Sequence, residues 1–249
     1  MRAGLAAQLS LLAALCNAQD PAQERARQFK ALADEIQIGT PDAATRLTLQ
    51  YLDDHVSEMH RIVQREILET LNQTDKLEDV RKAVKSLIGD DPFGNKELPY
   101  VYSSSLQGLK TIVVGYTLPY SMGPKVMIDG FRKAGLTYEL AAGTGEALSG
   151  CVLQLKQLDP PRSNEAWFLG YGLGIGGSRQ WYSMRIYSFD GYEFKELWAP
   201  DRPRLEPIIE TTKDLITIKY GDESREPALQ DTIRLTVAGP IVTTTSRQP

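Results

Sequence analysis

The sequence predicts an α+β protein in which a helical N-terminal segment is followed by an antiparallel β domain. Before residue 90, apolar residues recur every three or four positions, whereas beyond residue 100 they alternate as along half-buried strands. A segment rich in glycine, proline and charge, "GDDPFGNKELP", separates the two patterns. We therefore expect a leader at 1–18, a helical segment at 19–89, a linker at 90–99, a β domain at 100–240 and a polar tail at 241–249.

The composition argues against two kinds of partner. The 249 residues include 28 basic and 32 acidic side chains, so the net charge is −4 and no long stretch is strongly basic. Nucleic acids and anionic membranes both select basic surfaces, so we expect neither as a partner. After the leader, no segment reaches the ~18 consecutive apolar residues of a membrane-spanning helix, and no transmembrane segment is predicted.

The N-terminus is typical of a secretory signal peptide. Arg2 is followed by an apolar run over 3–15 and by small residues that favour cleavage after Ala18. Export to the periplasm or secretion is the expectation. A lipoprotein anchored at Cys16 is less favoured, because Leu15 is bulky where that processing selects a small residue. Cys151 would then be the remaining cysteine, and its apolar strand context predicts a buried, unreactive side chain.

Three helices are predicted in the helical segment. The first begins at Asp20-Pro21 and stops near Gly39, and the second begins near residue 41. The third begins at Asp75, with Glu78 as its capping-box partner. The second helix carries a heptad-like apolar stripe: Leu49, Leu52, Val56, Met59, Val63, Ile67 and Leu71. This stripe raises the hypothesis that helix 41–72 pairs with another chain in an oligomer.

The β domain is predicted to be a meander of short strands separated by glycine and proline turns. Ten strands are expected, at 100–104, 109–118, 125–131, 137–141, 151–158, 166–171, 181–189, 193–198, 215–220 and 232–237. A weak repeat relates "GY" at 115–116 to "GY" at 170–171 and indicates two related units of about 55 residues. Such units suit a sandwich or propeller-blade-like sheets, with the helices covering the open face.

The glycines at 172, 174 and 177 have the G-x-G-x-x-G spacing of a dinucleotide loop. That motif requires a helix after the loop, whose N-terminus holds the pyrophosphate. Here an alternating segment, "WYSMRIYSF", follows instead. We interpret the glycines as a hairpin loop and predict no nucleotide cofactor. Arg179 at the rim of this loop remains a candidate for contact with an anion or ligand.

The two histidines of the chain do not match the spacing of a helical metal site or the motif of a serine nucleophile. His55 and His60 are five positions apart on the long helix, so they do not share a face as helical zinc ligands do. No G-x-S-x-G elbow accompanies them. We therefore predict no metal site and name no catalytic residue. A carboxylate-based hydrolase stays open, since acidic side chains are plentiful in the second unit: Asp190, Glu193, Glu196, Asp201, Glu206 and Glu210.

Aromatic residues give the strongest binding signal. On an alternating strand at 181–189, Trp181, Arg185 and Tyr187 share one face, which makes them candidates with Arg179 for a ligand surface. The leading hypothesis is a non-catalytic exported protein that binds a protein or carbohydrate partner through its β domain. The alternatives are an extracytoplasmic hydrolase acting on a polymer such as a polysaccharide, and an assembly protein that pairs through the long helix.

Overall fold

The computed structural model describes residues 20–38, 49–91, 94–120, 125–144, 148, 152–159, 164–174, 180–221 and 229–246. Three helices come first, α1 (Pro21–Ile38), α2 (Leu49–Thr74) and α3 (Leu77–Ile88). None of them combines the length and the apolar character needed to cross a membrane. The predicted leader and both cysteines lie outside the described residues.

Twelve strands follow in the described part of the chain. They are β1 (Tyr100–Leu106), β2 (Leu109–Leu118), β3 (Lys125–Ala134), β4 (Thr137–Gly143), β5 (Val152–Leu158), β6 (Ala166–Gly174), β7 (Trp181–Phe189), β8 (Phe194–Trp198), β9 (Arg204–Thr211), β10 (Leu215–Gly221), β11 (Leu229–Thr236) and β12 (Gly239–Ser246). Helices followed by antiparallel sheets confirm the predicted α+β class and its β-meander.

The strands form two sheets. The first contains β1 to β4 in chain order, and the second contains the other eight strands. β7 pairs with β8 along 186–189 and with β9 at Trp181 and Tyr182. Because β9 replaces β8 along one edge of β7, the second sheet divides into two halves. We call β1–β4 the first meander, β5–β8 the second and β9–β12 the third.

The helices cover one face of the first meander. Six apolar side chains of the α2 stripe are at most 6% exposed, namely Leu52, Val56, Met59, Val63, Ile67 and Leu71. They pack with β2 and β3 side chains such as Ile112, Val114 and Phe131 in one helix–sheet core. α1 is tied to α2 by the buried Arg25, whose guanidinium lies 2.7 Å from both Glu66 and Glu69. The stripe that suggested pairing with another chain is therefore packed within this one.

The second meander covers the other face of the first. Leu153 and Leu155 of β5 and Phe189 of β7 pack with Val113 and Ile128 in a first inter-sheet core. Glycine allows the sheets to approach closely. A Cβ on Gly130 would lie 2.5 Å from the Phe189 ring, well inside van der Waals contact.

The two Gly-Tyr pairs lie on corresponding strands, β2 and β6, but face opposite ways. Gly115 and Gly170 both face the first inter-sheet core, where a Cβ on Gly115 would lie 2.7 Å from Leu155. Tyr116 points back into the helix–sheet core, whereas Tyr171 points on toward the third meander. Close packing between the first two meanders accounts for both glycines.

A second inter-sheet core joins the second and third meanders. Trp167, Leu169 and Ile186 pack there against Ile218 and Ile233. Asp231 lies in the third meander and is fully buried. It accepts hydrogen bonds from Arg204, Tyr220 and Thr244 at 2.7–3.1 Å, so one carboxylate links all four strands of that meander.

Three local expectations differ from the structure. Residues 204–211, which were not among the ten expected strands, form β9, in which Glu206 has a φ of +45° and Pro207 interrupts the alternation. Residues 241–246, expected as a polar tail, form most of β12, since β-branched Val and Thr side chains pair well across an antiparallel ladder. α3 begins at Leu77 after Lys76 in the N-cap position, with no side-chain cap.

Asp75 serves as an ion-pair centre instead of a helix cap. Its φ of +58° places it in the left-handed region, outside the extended backbone of an N-cap. Its carboxylate accepts hydrogen bonds from Lys110 and Lys133, at 2.8 and 3.2 Å, and from the Tyr138 hydroxyl. The Lys110 and Tyr138 hydrogen bonds lower the pKa of Asp75 from 3.8 to about 2.

Replacing Gly130 with alanine tests the close approach of the sheets. We expect Gly130→Ala to lower the free energy of unfolding by about 1–3 kcal/mol, because the new methyl overlaps the buried Phe189 ring. Denaturant unfolding of a double-mutant cycle with Phe189→Leu provides the control. With leucine in place of Phe189, the loss of stability caused by Gly130→Ala should shrink by more than about 0.5 kcal/mol. If the effects of the two substitutions on the free energy of unfolding simply add, the close contact between residue 130 and the Phe189 ring is contradicted.

Replacing Asp75 with asparagine tests its ion pairs. The folded pKa of about 2 lies below the unfolded 3.8, so the stabilisation is fully present above pH 3.8 and is lost as pH falls through 2. Asparagine tolerates the left-handed backbone and keeps the size of the side chain, while it removes the charge and replaces one acceptor oxygen with an amide donor. Thermal unfolding from pH 6 to pH 2 should show the wild type and Asp75→Asn converging at low pH. A pH-independent gap would exclude the charge as the cause.

Candidate ligand-binding site

A cavity of about 580 Å³ lies where α1 and α3 meet the end of β2. We call it the helix–sheet cavity. Its described lining residues are Ala26, Phe29, Lys30, Ala33, Asp34, Ser86, Leu87, Ile88, Gly89, Asp90, Asp91, Leu98, Thr117, Leu118 and Pro119. The volume falls within the ~300–1,000 Å³ of small-molecule sites in proteins.

The floor of the cavity is apolar and belongs to the protein core. Phe29 of α1 is 3% exposed, Leu118 at the end of β2 is fully buried, and Leu98 is 6% exposed. α1 presents Ala26 and Ala33 on the same face as Phe29, one turn to either side. Because alanine carries only a methyl group, the helix leaves space beside the phenylalanine ring.

The mouth of the cavity carries charge. The Asp34 and Asp90 side chains are 50% and 88% exposed, and each pairs with a lysine on the neighbouring helical turn. Asp91 accepts a hydrogen bond from the Asn95 amide at 2.9 Å. Lys30, 76% exposed, is the cation among the described lining residues. With Lys30 paired to Asp34 and Lys85 paired to Asp90, the mouth has one carboxylate in excess.

α3 adds to this negative character through its C-terminus. The helix ends at Ile88, and Gly89 closes it by donating its amide to the Lys85 carbonyl at 2.9 Å. Both Ile88 and Gly89 line the cavity. The last carbonyl groups of a helix carry a partial negative charge, which favours a cation nearby. Polar and apolar features of the cavity together suit a ligand with an apolar body and a positive group.

The surface predicted from the aromatic pattern is only partly open. Trp181 is 38% exposed at the start of β7, and Arg185 is partly exposed, with its guanidinium 3.2 Å from Glu196. Tyr187 is 6% exposed because the first meander covers this end of β7, and burial raises its pKa well above the ordinary value. Arg179 lies outside the described residues. Of the three described candidates, Tyr187 is therefore buried, whereas Trp181 and Arg185 are partly exposed.

Both histidines connect α2 to other elements. His55 Nε2 donates a hydrogen bond to the Glu35 carboxylate of α1 at 2.8 Å, and this hydrogen bond is the main cause that lowers the Glu35 pKa. His60 lies 2.9 Å from the fully buried Asp129 of β3. In the described ranges, no three His, Cys, Asp or Glu side chains come together as a metal would require.

Asp129 is the centre of a buried polar cluster. Besides His60, it accepts hydrogen bonds from Tyr116 at 2.5 Å and from Gln64 at 3.0 Å. Burial and the adjacent carboxylate raise the Tyr116 pKa well above its ordinary value, so the phenol stays protonated. A histidine held by a carboxylate can act as a base. His60, however, lies outside the described lining of the cavity, so we assign the cluster to packing.

Four of the six acidic residues considered for hydrolysis make local contacts. Asp190 accepts hydrogen bonds from the amides of Tyr192 and Glu193, as expected for a hairpin turn. Glu196, Asp201 and Glu210 each pair with a lysine or arginine of the same or an adjacent strand or loop. None of the six acidic residues is among the described lining residues of the helix–sheet cavity.

The cavity was not foreseen from the sequence. Its residues come from α1, from the end of α3 and from the end of β2, which are far apart along the chain. The one local sign was the pair of alanines flanking Phe29 on an otherwise bulky apolar face. An alanine at such a position does not predict a cavity until the element that faces it is known.

Comparison with known proteins gives little further guidance. No family model matches the chain, and no curated protein matches it. Among solved structures, the chain is similar to the α-L-arabinofuranosidase Arb93A from Fusarium graminearum, determined in complex with an iminosugar inhibitor. The identity is 15%, the TM-score is 0.31, and the match covers 62% of this chain and 50% of that one. At this TM-score the similarity carries no argument about function.

Proposed function

We propose that this protein is a non-catalytic binding protein, and that the helix–sheet cavity holds its ligand. The observation that carries the proposal is the cavity of about 580 Å³ with an apolar floor and a charged mouth. Such sites bury the apolar body of a ligand and orient it by a few polar contacts at the opening. The β domain contributes the end of β2, while α1 and α3 contribute the remaining walls.

The ligand class follows from the charge of the lining. Asp34, Asp90 and Asp91 line the cavity together with the C-terminus of α3. Lys30 and Lys85 pair with Asp34 and Asp90, so one carboxylate is in excess at the mouth. A positively charged group placed there gains Coulomb energy, and an anionic group loses it. We infer a small cationic amphiphile, such as an alkyl chain that ends in an ammonium group.

Calorimetric titration with matched alkyl probes tests this function. We expect alkyltrimethylammonium probes to bind about fourfold more tightly per added methylene until the cavity is full, since each buried CH₂ contributes ~0.8 kcal/mol. Alkyl sulfates of equal length should bind more weakly. Equal binding of the two series would refute the inferred positive charge of the ligand, but it would leave the cavity as the ligand site. Lack of binding by either series, below micelle-forming concentrations, would refute the cavity as the ligand site.

Filling the cavity provides a structural control on the same titration. Ala33→Phe places a ring in the cavity and should abolish probe binding, whereas Ala134→Phe adds the same ring at the exposed end of β3 and should leave binding unchanged. Asp34→Asn should weaken binding of the cationic probe by about twofold to fivefold, as expected for one exposed charge. Equal effects of both phenylalanine variants would assign the loss to misfolding.

We also propose that the protein is exported and that a signal peptide is removed near Ala18. The support is the sequence alone, with Arg2, the apolar run at 3–15 and the small residues before the expected cleavage point. N-terminal sequencing of the exported protein should begin at Gln19. A lipid-modified N-terminus at Cys16 would instead identify a lipoprotein, and an intact Met1 in the cell interior would refute export.

A further inference from the structure

The described residues include five outer strand edges, at β1, β4, β5, β8 and β12, and an inner edge on β9 beyond Leu205, where β9 pairs with β10 alone. An edge strand presents unpaired amide and carbonyl groups that can pair with another extended chain. Proteins usually block such edges with side chains or charge. Four of the five outer edges are blocked here, and the inner edge of β9 carries Pro207 between Glu206 and Glu210. β12 is the exception.

Helices block both edges of the first sheet. Arg81 of α3 donates to the Val101 carbonyl of β1 at 2.9 Å. Asn72 of α2 accepts from the Tyr138 amide of β4 at 2.6 Å and donates back to the Tyr138 carbonyl at 3.5 Å. The Asn72 side chain therefore makes the two backbone hydrogen bonds with Tyr138 that a neighbouring strand would otherwise make.

Side chains and charge protect β5 and β8. Two β5 carbonyls accept side-chain hydrogen bonds, Leu153 from Asn95 at 2.7 Å and Leu155 from the Tyr102 hydroxyl at 2.5 Å. β8 is a five-residue strand with Lys195 and Glu196 exposed in its centre. Short, charged edge strands of this kind resist pairing with a second chain.

β12 approaches β8 of the same chain but has none of these blocking features. It pairs with β11, and its residues 241–246 are all exposed. Its sequence, "GPIVTTTS", carries no charge and is rich in β-branched residues. The Gly239 carbonyl accepts a hydrogen bond from the Thr236 hydroxyl at 2.7 Å, inside the β11–β12 turn. Ile241 and Val242 are 59% and 37% exposed on the two faces of this edge.

A second copy of β12 is a suitable occupant of this edge. In an antiparallel pair related by a two-fold axis at Thr243, Ile241 faces Thr245 of the other copy and Val242 faces Thr244. Every such pair joins two β-branched side chains, which stabilises antiparallel strands. No like charges meet, because the strand has none. Pro240, which has no amide to donate, falls at the end of the ladder.

We propose that β12 is a homodimerisation edge, and that two copies join their second sheets through antiparallel β12 strands centred on Thr243. This interface is separate from the helix–sheet cavity, to which β12 contributes no lining residue. The pairing closes on itself, so it gives a dimer and no larger assembly.

Charge at the two-fold axis tests the proposal, because residue 243 then meets its own copy. We expect the wild type to show a concentration-dependent dimer by sedimentation velocity. Thr243→Lys and Thr243→Glu should each be monomeric, and an equimolar mixture of the two should form a heterodimer. Ser57→Lys, on the exposed surface of α2, is the control for added charge and should dimerise as the wild type does.

Three outcomes would overturn the assignment. They are a wild type that stays monomeric at all concentrations, a Thr243→Lys variant that still dimerises, and charge variants that do not recombine on mixing. Growth of the wild type into larger assemblies would also contradict a closed pair. Thr243 is exposed in the single chain, so we expect each variant to fold, and far-UV circular dichroism checks this.

Discussion

The first sheet must be covered on both faces, and the rest of the structure follows from this constraint. Residues 111–118 of β2 and 126–131 of β3 are all buried, so neither face of these strands meets water. Their apolar run leaves no polar side that a two-layer protein could expose. The helices supply one cover and the second meander the other, and the cavity lies at the boundary where helices and sheet meet.

Buried carboxylates complement this apolar packing at two equivalent positions. Asp129 lies opposite Val114 in the β2–β3 ladder and bonds to Tyr116, two residues further along. Asp231 lies opposite Ile218 in the β10–β11 ladder and bonds to Tyr220 in the same diagonal way. Each also receives a basic side chain from another element. A shift of strand register would leave these buried carboxyl groups without their hydrogen-bond donors, which is energetically costly. Both groups therefore favour one register of their strand pairs.

Sequence periodicity was sufficient for the helices and for most strands, because each reflects the burial of one local face. β9 was missed since Glu206 and Pro207 break its alternation, and β12 since threonines resemble a polar tail until their ladder is known. The candidate site was harder to predict. Tyr187 is covered by a distant meander and the cavity joins three separated segments. Contacts of that kind depend on tertiary packing and leave no period in the sequence.

The order of the layers has a consequence for cooperativity. Each apolar core joins neighbours only: helices to first meander, first to second, second to third. In such stacks the stability is approximately a sum of interface terms between adjacent units. The third meander has one such interface, so its opening leaves the helix–sheet core intact. Slow-exchanging amides should therefore concentrate in β2 and β3, with protection declining toward β12.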